Sequence, residues 1–207
     1  MKTKILLTVL LLLFFCISCK KDKDDNTTNG STRVLGQVGN EWKANFPDGQ
    51  SKISAKVVSN NNGIINMEVN IDGQLLIFKS QIEVTIKGRL SDNSISDFFY
   101  SEGDESKPFT LVEFDAEVGD IYLFDLGKTQ IEREVIERKS YHITALDKEV
   151  ETIGVAEYIP EGVFPELFGY NFQIVYWYIS PIYGLVCVEL LTDEGELIVI
   201  EFTSIDL

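Results

Sequence analysis

"IINMEVNIDGQLLIFKS" (residues 64–80) decides how the chain folds. Ile65, Met67, Val69 and Ile71 alternate with Asn66, Glu68 and Asn70. Successive side chains of a strand point to opposite faces, so a period of two buries one row and wets the other. Asp72-Gly73 suits a two-residue hairpin turn because both residues tolerate positive φ, and "QLLIFKS" then runs back. The stretch predicts two antiparallel strands with one face on a core.

Outward from there the same pattern continues. Ile53, Ala55 and Val57 alternate with polar neighbours on one side, and Ile82, Val84 and Ile86 do so on the other, as far as Gly88. Residues 88–108 are polar, with Gly103 and Pro108, and predict loops around a short edge strand in "ISDFFYS" (95–101). Further strands are expected at 109–114, 120–125, 130–138, 141–146, 171–180, 185–192 and 197–205. "DLGKT" (125–129), Pro181–Gly184 and "DEGE" (193–196) supply turns. No amphipathic helix of three turns is expected after residue 18; residues 161–169 have room for one short turn. The fold class is all-β, an antiparallel curved sheet, sandwich or half-barrel.

An internal repeat suggests how the strands are grouped. "QVGNEW" (37–42) matches "EVGDIY" (117–122), and each copy is followed by a turn and an alternating strand. Gly permits a tight turn, Asn or Asp caps it, and the aromatic opens the next strand. Two copies predict two similar β-units within one sheet or sandwich.

The N-terminus reads as an address. "MKTKILLTVLLLLFFCIS" (1–18) has Lys2 and Lys4 ahead of an apolar run, the pattern of a secretory signal peptide. Ser18 is a small residue before Cys19, as at the cleavage site of a bacterial lipoprotein, where the cysteine is acylated and becomes the mature N-terminus. Cys16 follows Phe15 and would leave with the signal, so the C-x-x-C is read neither as a redox motif nor as a metal site. "KKDKDDNTTNGST" (20–32) holds no hydrophobic residue and is expected to remain a disordered tether. Its alternating acids do not make a calcium loop, since Thr27 and Arg33 stand where Gly and Glu are required. The domains are therefore a signal peptide at 1–18, a lipidated Cys19 with its tether at 19–32, and one β domain at 33–207.

"CKKDKDD" resembles the start of outer-membrane lipoproteins of the Bacteroidota group, where a short charged run after the acylated cysteine resembles a surface-export signal. The resemblance implies a lipid anchor on the outer membrane, with the outward face as one of its two possible sides. "VGNEW" and "YWYISPIYGLV" (176–186) resemble a group of secreted bacterial β-rich proteins of unknown function, in which such motifs frame an antiparallel sheet. Ile182-Tyr183 departs from that group's more polar turn, and the resemblance brings no catalytic residue.

Composition excludes some partners. The chain has 207 residues, 33 acidic against 18 basic, for a formal charge of −15, and the signal takes two lysines and no acid with it. Such a surface repels phosphate backbones, so nucleic acid is not expected as a partner. The membrane partner is reached through the anchor, since no later segment has the length and apolarity of a span.

Tyr170, Phe172, Tyr176, Trp177 and Tyr178 are the candidate ligand contacts. Tyr170, Phe172, Ile174, Tyr176 and Tyr178 share one strand face; Val175, Trp177 and Ile179 share the other. A strand apolar on both faces is either central and covered twice or lines a cavity. Aromatic faces suit sugars or lipid, but they also fill ordinary cores. His142 is the only histidine, on the strand face opposite Tyr141 and Ile143, without a serine elbow or enough typical zinc ligands. Asp115/Glu117, Glu132/Glu134 and Glu149/Glu151 lie at strand spacing, a pattern an acidic chain produces freely. Cys187 sits in an apolar run and reads as an inert core thiol. No catalytic residue, metal site or cofactor is expected. The reading is a lipid-anchored binding or accessory module with a glycan, lipid or protein ligand left open. The rivals are a lipid or lipoprotein carrier with an apolar cavity and, behind it, a hydrolase working with paired carboxylates.

Overall fold

A computed structural model describes residues 35–47, 49, 51–73, 80–160 and 171–206. Residues 1–34, and with them the signal peptide, Cys16, Cys19 and the tether, lie outside the described residues, as do 74–79 and 161–170 with Tyr170.

Twelve strands form one antiparallel sheet. The first six are β1 (Glu41–Asn45), β2 (Lys52–Asn61), β3 (Ile64–Gly73), β4 (Ser80–Leu90), β5 (Ser94–Asp97) and β6 (Phe109–Glu113). The second six are β7 (Ile121–Asp125), β8 (Gln130–Ile143), β9 (Lys148–Tyr158), β10 (Phe172–Ser180), β11 (Gly184–Thr192) and β12 (Leu197–Asp206). Their spatial order is β6-β5-β4-β3-β2-β1-β12-β11-β10-β9-β8-β7. Each set of six is thus a meander, and the first and last long-range partners, β1 and β12, join the two. The sheet curls until it is nearly closed into a barrel, with β6 and β7 as the facing edges.

The expected two units are real, and their turns match bond for bond. Gly39 N donates to Val57 O and Val57 N to Asn40 O, each at 2.9 Å. In the second unit Gly119 N donates to Val135 O at 2.8 Å and Val135 N to Asp120 O at 2.9 Å. Gly39 (φ 102°) and Gly119 (φ 100°) hold the same left-handed conformation, which an L side chain rarely adopts. A bulge follows each matched valine, between Val57 and Ser59 and between Val135 and Glu137.

The core lies on the concave face. Trp42, Ala55, Val69 and Val84 face one another across β1–β4, and Val135, Val155, Trp177, Val188 and Ile200 across β8–β12. All nine are buried, and burying side chains of this size contributes roughly 1.5–3 kcal/mol each for the larger ones. In the second unit the opposite face is also partly covered. The 3₁₀ turn Thr144–Leu146 at the tip of the β8–β9 hairpin packs on β12. Ile143 and Val150 are buried there.

Several expectations about individual elements are corrected. Asp72-Gly73 is not the turn: β3 runs through it, with Asp72 facing Gln81 and Gly73 facing Ser80. The two-residue hairpin falls instead at Asn62 (φ 53°) and Gly63 (φ 85°), between the paired Asn61 and Ile64. β5 is not an edge strand, because β4 and β6 flank it. Residues 130–138 and 141–143 belong to one continuous strand, and β9 is a strand that alternation did not disclose. Its residues from Thr152 to Glu157 are all buried, so both faces lose the polar beat.

Candidate functional site at the β6–β7 seam

Where the two units meet a second time, no ladder of backbone hydrogen bonds joins β6 to β7 among the described residues. Side chains close this seam. Arg133 on β8 occupies the position that Ala55 holds in the first unit, and Glu157 on β9 the position of Val69. An apolar row in one unit is therefore an ionic row in the other. Arg133 Nη1 donates to Phe109 O at 3.4 Å and Thr110 O at 3.2 Å, meeting carbonyls of the unladdered strand. Arg138 extends the closure, donating to Ala116 O at 2.9 Å and Phe114 O at 2.7 Å. Tyr122 Oη accepts from Glu113 N at 3.2 Å.

Behind the seam lies a buried charge cluster. Arg133 Nε donates to Glu157 Oε2 at 2.6 Å, and Arg133 Nη2 stands 2.7 Å from Asp97 Oδ2. That second contact is an ion pair without hydrogen-bond alignment, and Asp97 Oδ1 accepts from Phe99 N at 3.0 Å. Tyr100 Oη donates to Glu157 Oε1, and Trp177 Nε1 donates to Glu157 Oε2 at 3.3 Å. The guanidinium also lies 4.0 Å over the Phe109 ring. Asp97 and Arg133 are 1% exposed and Glu157 is 0% exposed.

Ionisation follows from that burial. Loss of water raises the Asp97 carboxyl above its usual range, opposed by Arg133 and reinforced by Glu157. Burial, with Glu157 adjacent, also drives the Tyr100 phenol upward, so it remains a protonated donor. Arg133 stays charged: the two carboxylates outweigh its own desolvation. Asp97, Arg133 and Glu157 are out of contact with solvent, and each depends on the others, since removing one would leave an uncompensated buried charge.

Tyr100 links this cluster to the surface. With Ser101, Glu102, Lys107, Phe124 and Leu126 it lines an open cleft of about 320 Å³, to which Asp125 also contributes. The Tyr100 and Phe124 ring centroids are 5.9 Å apart and tilted by 36°, with Phe109 5.3 Å from Phe124. The cleft thus presents aromatic edges, one lysine and two carboxylates at the mouth of the seam, with Tyr100 the member of the buried cluster among its walls.

Of the residues singled out from the sequence, Trp177 bonds to this cluster through Glu157, and Phe172, Tyr176 and Tyr178 lie elsewhere. Trp177 is 1% exposed in the core, and Phe172 is buried as well. Phe172 does not share the face of Ile174, because a bulge between them shifts the register. Tyr178 is 5% exposed: its ring stacks on Tyr141 at 5.9 Å, Lys139 Nζ lies 4.1 Å above it, and its hydroxyl donates to Glu189 at 3.2 Å. Tyr176 is half-buried on the convex face. β10 is thus covered on both sides over residues 177–180.

His142 is half exposed, 3.5 Å from Glu149 and 3.7 Å from Asp147. Asp115, Glu117, Glu149 and Glu151 are exposed, while Glu132 and Glu134 are half-buried. Burial raises the Cys187 thiol to about 12. Among the described residues no three His, Cys, Asp or Glu side chains gather at metal-binding distance.

Asp97, Tyr100, Arg133 and Glu157 escaped the sequence reading. One signal was present: Arg133 stands two residues from both Ile131 and Val135, at an inward position of the alternation.

No protein-family model and no curated protein matches the chain. Two solved structures are similar to it. One is a candidate exported protein with a YMCC-like fold from Bacteroides fragilis, 14% identical, with a TM-score of 0.50 over 83% of this chain and 97% of that one. The other is a candidate lipoprotein from Parabacteroides distasonis, 15% identical, with a TM-score of 0.49 over 89% of this chain and all of that one. The likeness to the first is one of fold alone.

Proposed function

We propose that this chain is a lipid-anchored lipoprotein of the outer membrane that works as a non-catalytic binding or accessory module. The carrying observation is how the charged side chains at the seam are used. Asp97, Arg133 and Glu157 are buried and bonded to one another, so they brace the closure. The cleft outside them offers aromatic edges and a lysine for holding a ligand. A lipid carrier would need an interior free of Trp42, Met67 and Trp177, which are fully buried in it.

Two further points support the envelope address. Ser18 and Cys19 form a lipoprotein cleavage pattern behind an apolar run, and the charged residues after Cys19 fit a tether beside a bilayer. A similar fold occurs in a candidate exported protein. The test is fractionation of cells making the wild type and Cys19→Ser. Wild type is expected in the outer-membrane fraction and the variant to lose membrane attachment. A Cys19→Ser chain as firmly membrane-bound as wild type would refute the anchor.

A further inference from the structure

The convex face of the second unit differs from that of the first in a way the fold does not require. Across β7–β12 one row runs Leu123, Glu132, Tyr158, Ile174, Leu191, Leu197. The row beside it runs Ile121, Glu134, Ala156, Tyr176, Glu189, Val199. Ile121, Leu123 and Leu197 are 53%, 57% and 47% exposed, and Tyr158, Ile174, Tyr176, Leu191 and Val199 are half-buried.

The first unit provides an internal control. Its matching rows run Lys43, Ser54, Asn70, Glu83 and Glu41, Lys56, Glu68, Thr85. Every one of those eight residues is polar, with lysines and glutamates interleaved, as a solvated sheet face requires. The matched strands pair in the same register, Lys43 with Ser54 and Leu123 with Glu132, so that pairing alone does not call for leucine at 123 where lysine serves at 43. A contiguous apolar face of this kind marks an interaction surface.

Charge narrows the occupant. Glu132, Glu134 and Glu189 are the only charged residues in the two rows, and all are acidic. The Tyr158 hydroxyl, donating to Glu134 at 2.9 Å, is raised to about 12 by that bond and adds no positive charge. A second copy of this chain would set carboxylates against carboxylates, and a phosphate-bearing surface would be repelled. A neutral glycan would leave its hydroxyls against Leu123, Ile174 and Leu197, which offer no hydrogen bond. We infer that this face docks a basic, amphipathic segment of another protein, apolar side chains on the leucine and tyrosine rows and lysine or arginine on Glu132, Glu134 and Glu189. This face shares no residue with the cleft at Tyr100, and the inference goes beyond that cleft by adding a protein partner to the binding-module reading.

The test uses the full acylated chain in nanodiscs of zwitterionic lipid, with empty nanodiscs as blank. The probes are a labelled peptide of alternating leucine and lysine and one of equal charge in which serine replaces leucine. Fluorescence anisotropy is expected to show the leucine peptide binding about tenfold more tightly. Leu123→Ser with Leu197→Ser, two exposed positions that folding does not depend on, should abolish that preference. Lys43→Ser, the matched change on the first unit, should leave it intact. Equal binding of the two peptides, or a preference that survives the double variant, would overturn the inference. So would a dimer in sedimentation velocity that the double variant dissolves, or tighter binding of a neutral oligosaccharide at the same face. Any of these results leaves the membrane anchor standing, whereas loss of Cys19 acylation would remove the anchor and leave the face untouched.

Discussion

Arg133 and Glu157 face each other across β8 and β9, 2.6 Å apart and out of solvent, in the row where the first unit places Ala55 and Val69. The difference has a physical cause in how each unit is joined to the other. β1 is hydrogen-bonded to β12, so its core row can be wholly apolar. β7 has no such ladder to β6 among the described residues, and the guanidinium supplies donors to the Phe109 and Thr110 carbonyls in its place.

Removing the cation should therefore cost far more than one hydrogen bond. Arg133→Met leaves Asp97 and Glu157 buried without a counter-charge, and a loss of about 3–5 kcal/mol is expected by urea denaturation. A loss below about 1 kcal/mol would show that the seam is held by other contacts.

Asp97 gives this cluster a pH signature. Its carboxyl is raised in the folded state from the usual 3.8, chiefly by burial. Below 3.8 both folded and unfolded chains hold the proton. Above it, and up to the raised folded value, the folded chain alone holds it, so Asp97 makes stability fall as pH rises through that window. Asp97→Asn should erase this slope. The difference in Tm between wild type and variant, followed from acid to neutral pH, should move steadily in the variant's favour; a flat difference contradicts the assignment.

The two tryptophans should respond differently to loss of the indole N–H. Trp177 donates to Glu157, whereas Trp42 Nε1 is buried with no partner among the described residues. Trp177→Phe is expected to cost about 1–3 kcal/mol more than Trp42→Phe, because only the first strips a hydrogen bond from a buried carboxylate. Equal costs in denaturant melts would contradict the bond.

This contrast also shows what the amino-acid order could disclose. The two-unit plan is legible because Gly39 and Gly119 must take positive φ, which leaves the same local mark twice. Alternation exposes β2 and β3, where one face is wet. It fails at β9, where Ile153, Val155 and Glu157 bury on one side and Thr152, Gly154 and Ala156 on the other. The candidate site was hidden for another reason. Arg133 and Glu157 pair across β8 and β9, but Asp97 lies on β5 of the other unit, and only barrel closure brings it to them. Bulges add a further obstacle, since one extra residue near Gln173 moves Phe172 to the opposite face from the one that counting assigns.

The matched turns supply a test of the repeat itself. Gly39→Ala and Gly119→Ala each force a side chain into left-handed backbone, at an expected cost of about 1–2 kcal/mol. Neither added methyl group meets another atom, so the two costs should agree. A large loss at one turn and none at the other would argue that the units are not equivalent.

Cys187 should be unreactive in the native chain. Burial holds its thiol near 12, so the thiolate is scarce at mildly alkaline pH. An aromatic disulfide reagent is expected to label it only as fast as the protein unfolds, with the rate rising in urea. Rapid labelling of the folded chain would show that the sheet is open beside Tyr178.

Function in this chain depends first on where it is held. Mass analysis of the mature N-terminus, on protein recovered from membranes of the native host, tests that most directly. The expected product is a peptide that begins at Cys19 and carries the mass of attached acyl chains. A mature chain beginning at any other residue with a free amine, or a Cys19 peptide of unmodified mass, would contradict it.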